Sequence, residues 1–249
     1  TTFNVTFSPT STGQKSTFLT IFSDDGDESV YTFQVKGATP FPGNALSFDG
    51  DDDQISSLIT VGISGSTPRS LETLVQFDRL ATDQNVIYFG NPATDNAFGI
   101  RLENQQIHFY QGNTSTFNTN YRPPLNQWTH FALTYDGTTV TIYVNGEPIF
   151  TQNMSSSVTD APLKINAIDG KMDEVRVWNK ALSQSEIQAK MNQGLVPSSE
   201  PNLVLYYTFD EGTPNGDNST ITQIIDQTSN NNHGSLINFA GTAGSSSNW

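Results

Sequence analysis

The chain has 249 residues, with 11 Lys+Arg against 25 Asp+Glu, no cysteine and a formal net charge of -14. So acidic a chain excludes nucleic acid, whose phosphates need a basic face, and lacks attraction for an anionic membrane. The missing cysteine removes disulfide scaffolds, Cys-ligated zinc and thiol nucleophiles together.

No apolar run approaches the roughly 20 residues that span a bilayer, so no membrane insertion is expected. The chain opens on Thr1-Thr2-Phe3 without an initiator Met or a signal-like apolar stretch, and reads as a piece of a larger protein. Its Lys-poor, Thr/Asn/Ser-rich composition suits a secreted bacterial protein at the cell surface or outside the cell. Four N-x-S/T triplets, at Asn4, Asn113, Asn153 and Asn218, are read as chance in so Asn- and Thr-rich a chain.

Nearly every periodic segment has period two. Phe3, Val5 and Phe7 alternate with polar residues, and Ser16–Ser23 and Glu28–Lys36 form a hairpin around the turn Asp24–Asp27. The run Gly37–Gly43 (GATPFPG) carries two prolines that cannot donate to a ladder, so a module boundary is placed near residue 40. Further strands are predicted at Ala45–Asp49, Ser70–Arg79, Asn85–Gly90, Phe98–Glu103, Gln106–Gln111 and Trp128–Tyr135. Thr138–Val144 follows the turn Asp136-Gly137, and Pro148–Gln152 follows Asn145-Gly146; both dipeptides supply the positive φ of a tight hairpin. Val140, Ile142 and Val144 then share one face.

One helix is predicted, Gln184–Gln193. Ser183 and Glu186 form a capping box, Gly194 stands where a cap glycine would end it, and Ile187 and Met191 make an apolar stripe for docking on a sheet. Strands resume at Leu203–Phe209 and Thr220–Ile225, before the Ser/Gly-rich stretch Gly241–Asn248. Many short antiparallel strands at regular spacing predict an all-β sandwich or jelly roll.

Three segments carry a resemblance. Trp128–Glu147 (WTHFALTYDGTTVTIYVNGE) resembles the central hairpin of laminin-G-like domains of the concanavalin A-like lectin/glucanase superfamily. Asn44–Ile55 (NALSFDGDDDQI) resembles their opening strand, and Ile168–Ser183 with the short helix resembles their closing strand. The resemblance implies a jelly-roll sandwich of two curved antiparallel sheets, often carrying structural calcium. Members often begin with a strand like Leu203–Gly212 and an Asp-rich loop like Asp226–Gly234; here both follow the helix. Residues 203–249, which lack a core of their own, are expected to fold back and complete a domain over 40–249. Residues 1–39 resemble the last strands of an immunoglobulin-like module.

That fold hosts glycanases and lectins alike. Retaining glycanases need two carboxylates facing one cleft about 5 Å apart, and no E-x-D-x-x-E run exists. Glu72 with Asp78 lies six residues apart, and Asp173-Glu174 should point to opposite faces of a strand. Three histidines, His108, His130 and His233, come without a Gly-x-Ser-x-Gly elbow. His130 and Trp178 read as core, as do Phe109 and Trp128.

Asp49-Gly50-Asp51-Asp52-Asp53 gathers four carboxylates in five residues, either a solvated turn or a calcium site. The resemblance favours calcium, held by Asp49, Asp52 and Asp53 with Asp173 as cross-strand partner. Asp226 with Asn230–Asn232 is a second candidate loop, whereas Asp24–Asp27 lacks EF-hand spacing. A glycan site needs exposed aromatics and planar polar groups. These concentrate between Arg101 and Arg122, with Arg101, His108, Tyr110, Asn113, Tyr121 and Arg122 as candidate ligand-binding residues. The expected function is a non-catalytic carbohydrate-binding module joined to other domains of a secreted protein. The alternative is a structural or adhesive repeat, with a glycoside hydrolase third.

Overall fold

A computed structural model describes residues 13–22, 30–39, 43–80, 84–166 and 168–249. The expected strand around Phe3–Phe7 and the turn Asp24–Asp27 lie outside these residues. The chain divides into one unit holding residues 1–42 and 192–194 and another holding 43–191 and 195–249. In the first, strands β1 (Gly13–Phe22) and β2 (Val30–Thr39) pair antiparallel over ten residues, with Phe18 and Phe22 exposed.

The second unit is the sandwich. Its strands open with β3 (Leu46–Asp49), β4 (Gln54–Ser57), β5 (Arg69–Phe77) and β6 (Gln84–Asn91). Next come β7 (Asn96–Glu103), β8 (Gln106–Tyr110), β9 (Thr116–Asn118), β10 (Thr129–Tyr135), β11 (Thr139–Val144) and β12 (Glu147–Asn153). β13 (Lys164–Ile165) and β14 (Asp169–Trp178) precede helix α1 (Gln184–Lys190). β15 (Leu203–Tyr207), β16 (Gln223–Ile224) and β17 (Gly234–Ile237) complete the chain.

One sheet has seven strands, in the order β12-β11-β10-β5-β14-β15, with β3 also on β14; the other has eight, β16-β17-β4-β13-β6-β7-β8-β9. β3 pairs with Asp169–Met172 of β14 and β15 pairs with Val175–Trp178, so the two short strands lie end to end along one edge of it. β17 lies against β4 in the other sheet, so residues 203–249 contribute strands to both layers.

Alternation along each strand buries one face between the sheets. Leu71, Val75 and Phe77 from β5 and Val140, Ile142 and Val144 from β11 meet Phe98, Ile100 and Leu102 from β7 in one continuous core. Asn145 and Gly146 both take positive φ, giving the tight turn their pairing demands, whereas Asp136 accepts the amides of Thr138 and Thr139 and leaves positive φ to Gly137. Arg69 lies between the rings of Phe98 and Tyr135, its Cζ 4.5 and 4.6 Å from their centroids, and so joins the two sheets. Burial pushes its pKa down to about 10.

Two local expectations need correction. The helix ends at Lys190 with Met191 as its cap in right-handed conformation, so Gly194 plays no capping part. Trp128 is 40% exposed instead of core, because it lies just before β10 begins, beyond the cross-strand pairs that bury Phe131 and Leu133.

α1 lies on the outer side of the seven-stranded sheet. Ile187 and Met191 pack there on Ala132, Trp178, Leu182, Leu203 and Tyr206, a second, smaller core. Both halves of the Ser183–Glu186 capping box are formed.

Candidate functional site

In β7, Phe98, Ile100 and Leu102 point inward, so Gly99, Arg101 and Glu103 point out of the sandwich. The same alternation in β8 turns His108 and Tyr110 outward between Ile107 and Phe109. Ladder pairs put Asn85, Arg101, His108 and Asn118 in one row across four strands. A neighbouring row runs Ser235, Ser56, Lys164, Tyr88, Gly99, Tyr110 and Thr116 across seven strands. The outer face of the eight-stranded sheet is therefore polar and aromatic.

Gly99 is required there. A Cβ on it would stand 2.3 Å from Tyr88 Cβ, so its missing side chain lets the Tyr88 and Tyr110 rings meet edge to face, with centroids 5.5 Å apart. Arg101 donates from Nη1 to Asn85 Oδ1 (2.8 Å) and from Nε to Glu103 Oε2 (3.1 Å), with its Cζ 5.8 Å from the Tyr110 centroid. Tyr110 donates its hydroxyl to Asn113 Oδ1 at 3.2 Å. Lys164 donates to Ser56 Oγ at 2.7 Å.

Of the six candidate ligand residues, the structure brings four together: Arg101, His108, Tyr110 and Asn113. His108 and Tyr110 are themselves buried, at 6% and 2% exposure, so neither is the open stacking platform expected of it. Tyr88, half-buried beside Tyr110, presents the accessible ring instead. Tyr121 belongs elsewhere. Its ring packs edge-on against Phe131 of the core at 6.3 Å, while Arg122 beside it is exposed. Tyr88 was within reach of the sequence, since it alternates with Ile87 and Phe89 in a predicted strand. Lys164 was not, because a two-residue strand carries no periodicity.

The acidic cluster is real in part. Oxygens of Asp49, Asp52 and Asp53 all lie within 4.8 Å of one another. Asp53 is buried, with Oδ1 accepting from Ser247 Oγ (2.6 Å) and Oδ2 from the Asp49 amide (2.9 Å). Burial pushes its pKa up to about 6, and the charges of Asp49 and Asp52 add to the rise. Gly50, at φ +81°, lets the turn pass so close to β14 that a Cβ would sit 2.8 Å from Asp169 Cβ. Three adjacent carboxylates fit a hard, oxygen-seeking cation.

Asp173 does not join them. The residue opposite Asp49 on β14 is Asp169, which pairs with Arg79 Nε at 2.6 Å, whereas Asp173 lies opposite Leu74 on the other neighbouring strand. Asp226 is engaged by donors of the protein itself. Its carboxylate accepts from the Tyr206, Thr228 and Asn232 amides and from the Thr228 hydroxyl, and these hold the 226–233 loop closed.

The outer face of the seven-stranded sheet holds a second polar group, sealed under α1. Trp178 Nε1 donates to Glu72 Oε2 (2.7 Å), and His130 Nε2 stands 3.4 Å from Glu72 Oε1. Arg176 pairs with Glu174, to which Tyr206 also donates at 2.6 Å, and Arg176 Nη1 donates to the carbonyl of Lys190 at the end of α1. Burial acts to raise the Glu72 carboxyl, but the His130 contact and the Arg176 charge outweigh it and hold it below its ordinary range. A bulge at Glu174, with φ 53°, corrects the expected geometry: Asp173 and Glu174 both face outward instead of to opposite sides. Burial and the Glu174 charge push Asp173 up to about 8.

The model of the concanavalin A-like lectin/glucanases superfamily matches residues 48–188, more than half of the chain. The chain belongs to this superfamily. Among curated proteins no sequence matches it. A crystal structure from Bacteroides ovatus, named provisionally as a carbohydrate-binding protein, is similar at 22% identity and a TM-score of 0.63, covering 89% of this chain and 67% of the other. Domain 4 of AbnA, an extracellular arabinanase from Geobacillus stearothermophilus solved with arabinotriose, is 18% identical. Its TM-score is 0.48, with 70% of this chain and 86% of that one covered.

Proposed function

We propose that the protein is a non-catalytic carbohydrate-binding module of a secreted bacterial protein, and that the outer face of the eight-stranded sheet is its glycan site. The observation that carries this reading is the pair of neighbouring rows holding Asn85 and Arg101, and Lys164 and Tyr88 backed by the buried Tyr110, which combines accessible ring surface with fixed planar hydrogen-bonding groups. The name given to the Bacteroides ovatus structure points the same way. Glu103 is the one carboxylate among the residues placed on this face, and hydrolysis of a glycoside by retention or inversion calls for two. Glu72 and Glu174, which do lie near each other, are buried beneath α1 and committed to Trp178, Arg176 and Tyr206.

Calcium is the proposed structural ion, held by Asp49, Asp52 and Asp53. Bound there, it would neutralise three crowded carboxylates at the β3–β4 turn. Asp53 is also the residue that ties this turn to Ser247.

Native affinity electrophoresis against a panel of neutral and acidic polysaccharides, with calcium and with a chelator, tests both parts. Retardation by a glycan, reduced about tenfold in affinity in Tyr88→Ala, is the expected result. No retardation by any polymer would shift the reading to an adhesive or structural repeat. Calcium at 100 times its dissociation constant should add about 2.7 kcal/mol of stability, and Asp52→Asn should remove most of that gain.

A further inference from the structure

We infer that the sugar bound on the outer face of the eight-stranded sheet carries an anionic group, a carboxylate or a sulfate, and that Lys164 recognises it. The inference rests on the glycan-binding reading above and names the ligand class of that same site.

Lys164 stands on the fourth strand of eight, directly opposite Tyr88 on one side and Ser56 on the other. The residue is half-buried, and its ammonium donates to a neutral hydroxyl, Ser56 Oγ, at 2.7 Å. Among the described residues it forms no ion pair, as Arg69, Arg122 and Lys171 form none. But Arg122 and Lys171 are exposed and Arg69 is held between aromatic rings, whereas Lys180, Lys190, Arg79 and Arg176 are each matched to a carboxylate. In a chain with net charge -14, a cation left without a counter-ion in the middle of a sheet face is set for an acceptor brought by the ligand.

The surroundings are less acidic than the chain as a whole. Arg101 lies two strands away and two residues along, about 12 Å from Lys164 by strand geometry. Its charge is shared with Glu103 at 3.1 Å, which also stands 3.9 Å from His108 Nδ1. Asp95, at the rim near Asn113, is engaged by Thr114. The face therefore sets two cations, Arg101 and Lys164, against Glu103 and the rim carboxylate of Asp95, and is near neutral in a chain of net charge -14. A sugar ring on Tyr88 would bring an acidic substituent within reach of Lys164 in the same row. Lysine offers a compact charge with three donors, which suits carboxylate and sulfate alike.

The test compares polygalacturonate with its methyl-esterified form, and a sulfated galactan with its desulfated form, by affinity electrophoresis of the whole chain. Wild type should bind at least one acidic polymer about tenfold more tightly than its neutral counterpart. Whichever series shows the preference identifies the group. Lys164→Gln should lose that preference while keeping affinity for the neutral polymer, and Lys164→Arg should retain it, which separates lost charge from lost folding. Equal binding of acidic and neutral forms, or a preference that survives in Lys164→Gln, overturns the inference and leaves glycan binding standing. Absence of retardation in both series overturns the inference, and absence across the wider panel as well removes the glycan-binding reading; undiminished retardation of Tyr88→Ala removes this sheet face as the glycan site.

Discussion

On the outer side of the seven-stranded sheet, Glu72, His130, Arg176, Glu174, Trp178 and Tyr206 lie under α1. On the outer side of the eight-stranded sheet, Asn85, Tyr88, Arg101, Glu103 and Lys164 lie under no α-helix among the described residues. Both faces carry charges, rings and planar donors, and both include an Arg–Glu pair. They differ in water. Side chains of Arg176 and Glu174 are 1% and 7% exposed, and those of Arg101 and Glu103 are 22% and 26%. The same residue types thus act as internal fasteners on one face and stand open to water on the other. What decides between the two roles is the seven-residue helix laid over one of them.

Substitutions should separate the faces. The largest effect belongs to Arg176→Ala, which strands Glu72 and Glu174 as buried charges and removes the bond to the Lys190 carbonyl. A loss of about 3–5 kcal/mol in chemical denaturation is expected, with glycan affinity unchanged below the transition. Intact stability in that variant would mean the covered face is wetter than its burial indicates.

Next comes pH. Asp173 has an ordinary pKa of 3.8 and about 8 in the fold, so between those values the folded chain keeps a proton that the unfolded chain has released. Its contribution is complete below about pH 4 and is lost as pH rises toward 8, at no more than about 1.4 kcal/mol per unit. Asp173→Asn should flatten this slope and leave the protein more stable than wild type near pH 8. An unchanged profile from pH 5 to 8 would place Asp173 in contact with solvent.

Tyr88→Ala is the converse of Arg176→Ala. It should cost only about 1 kcal/mol of stability, for the lost ring pair with Tyr110, while weakening glycan retardation. The smallest effect is that of Ser183→Ala, which removes the amino-terminal cap of α1 and should lower stability by about 1 kcal/mol or less. Faster hydrogen exchange at Trp178 Nε1 in this variant would show that α1 alone keeps the covered face dry.

Much of the fold was legible because its signals are local. Period-two alternation marked β5 to β8, and Asn145-Gly146 marked the central hairpin, since backbone geometry and side-chain facing are written within a few residues. The ligand face was half legible for the same reason: Arg101, His108 and Tyr110 alternate with core residues on adjacent strands. The burial of Tyr110 was not, because it depends on Tyr88 and Gly99 lying across the ladder. Of the covered face, the burial of His130 and Trp178 and the docking of Ile187 and Met191 were legible, but the charged groups among them were not. Glu72 meets Trp178 across 106 residues of sequence, and the bulge at Glu174 cancels the alternation that would have separated it from Asp173. Asp49 and Asp173 failed as partners through register, a property of two strands that neither displays alone.

The hydrogen bond from Tyr110 to Asn113 has a practical side. Asn113 is exposed and begins an Asn-Thr-Ser triplet, whereas Asn218, the first residue of another such triplet, is 3% exposed and donates its amide to Thr213 and Asn248. A eukaryotic secretory host that modifies the exposed triplet would attach an oligosaccharide at the rim of the Tyr88–Tyr110 face. Material made that way would carry its own competitor, tethered beside the site, whereas Asn113→Gln or bacterial expression leaves that rim clear.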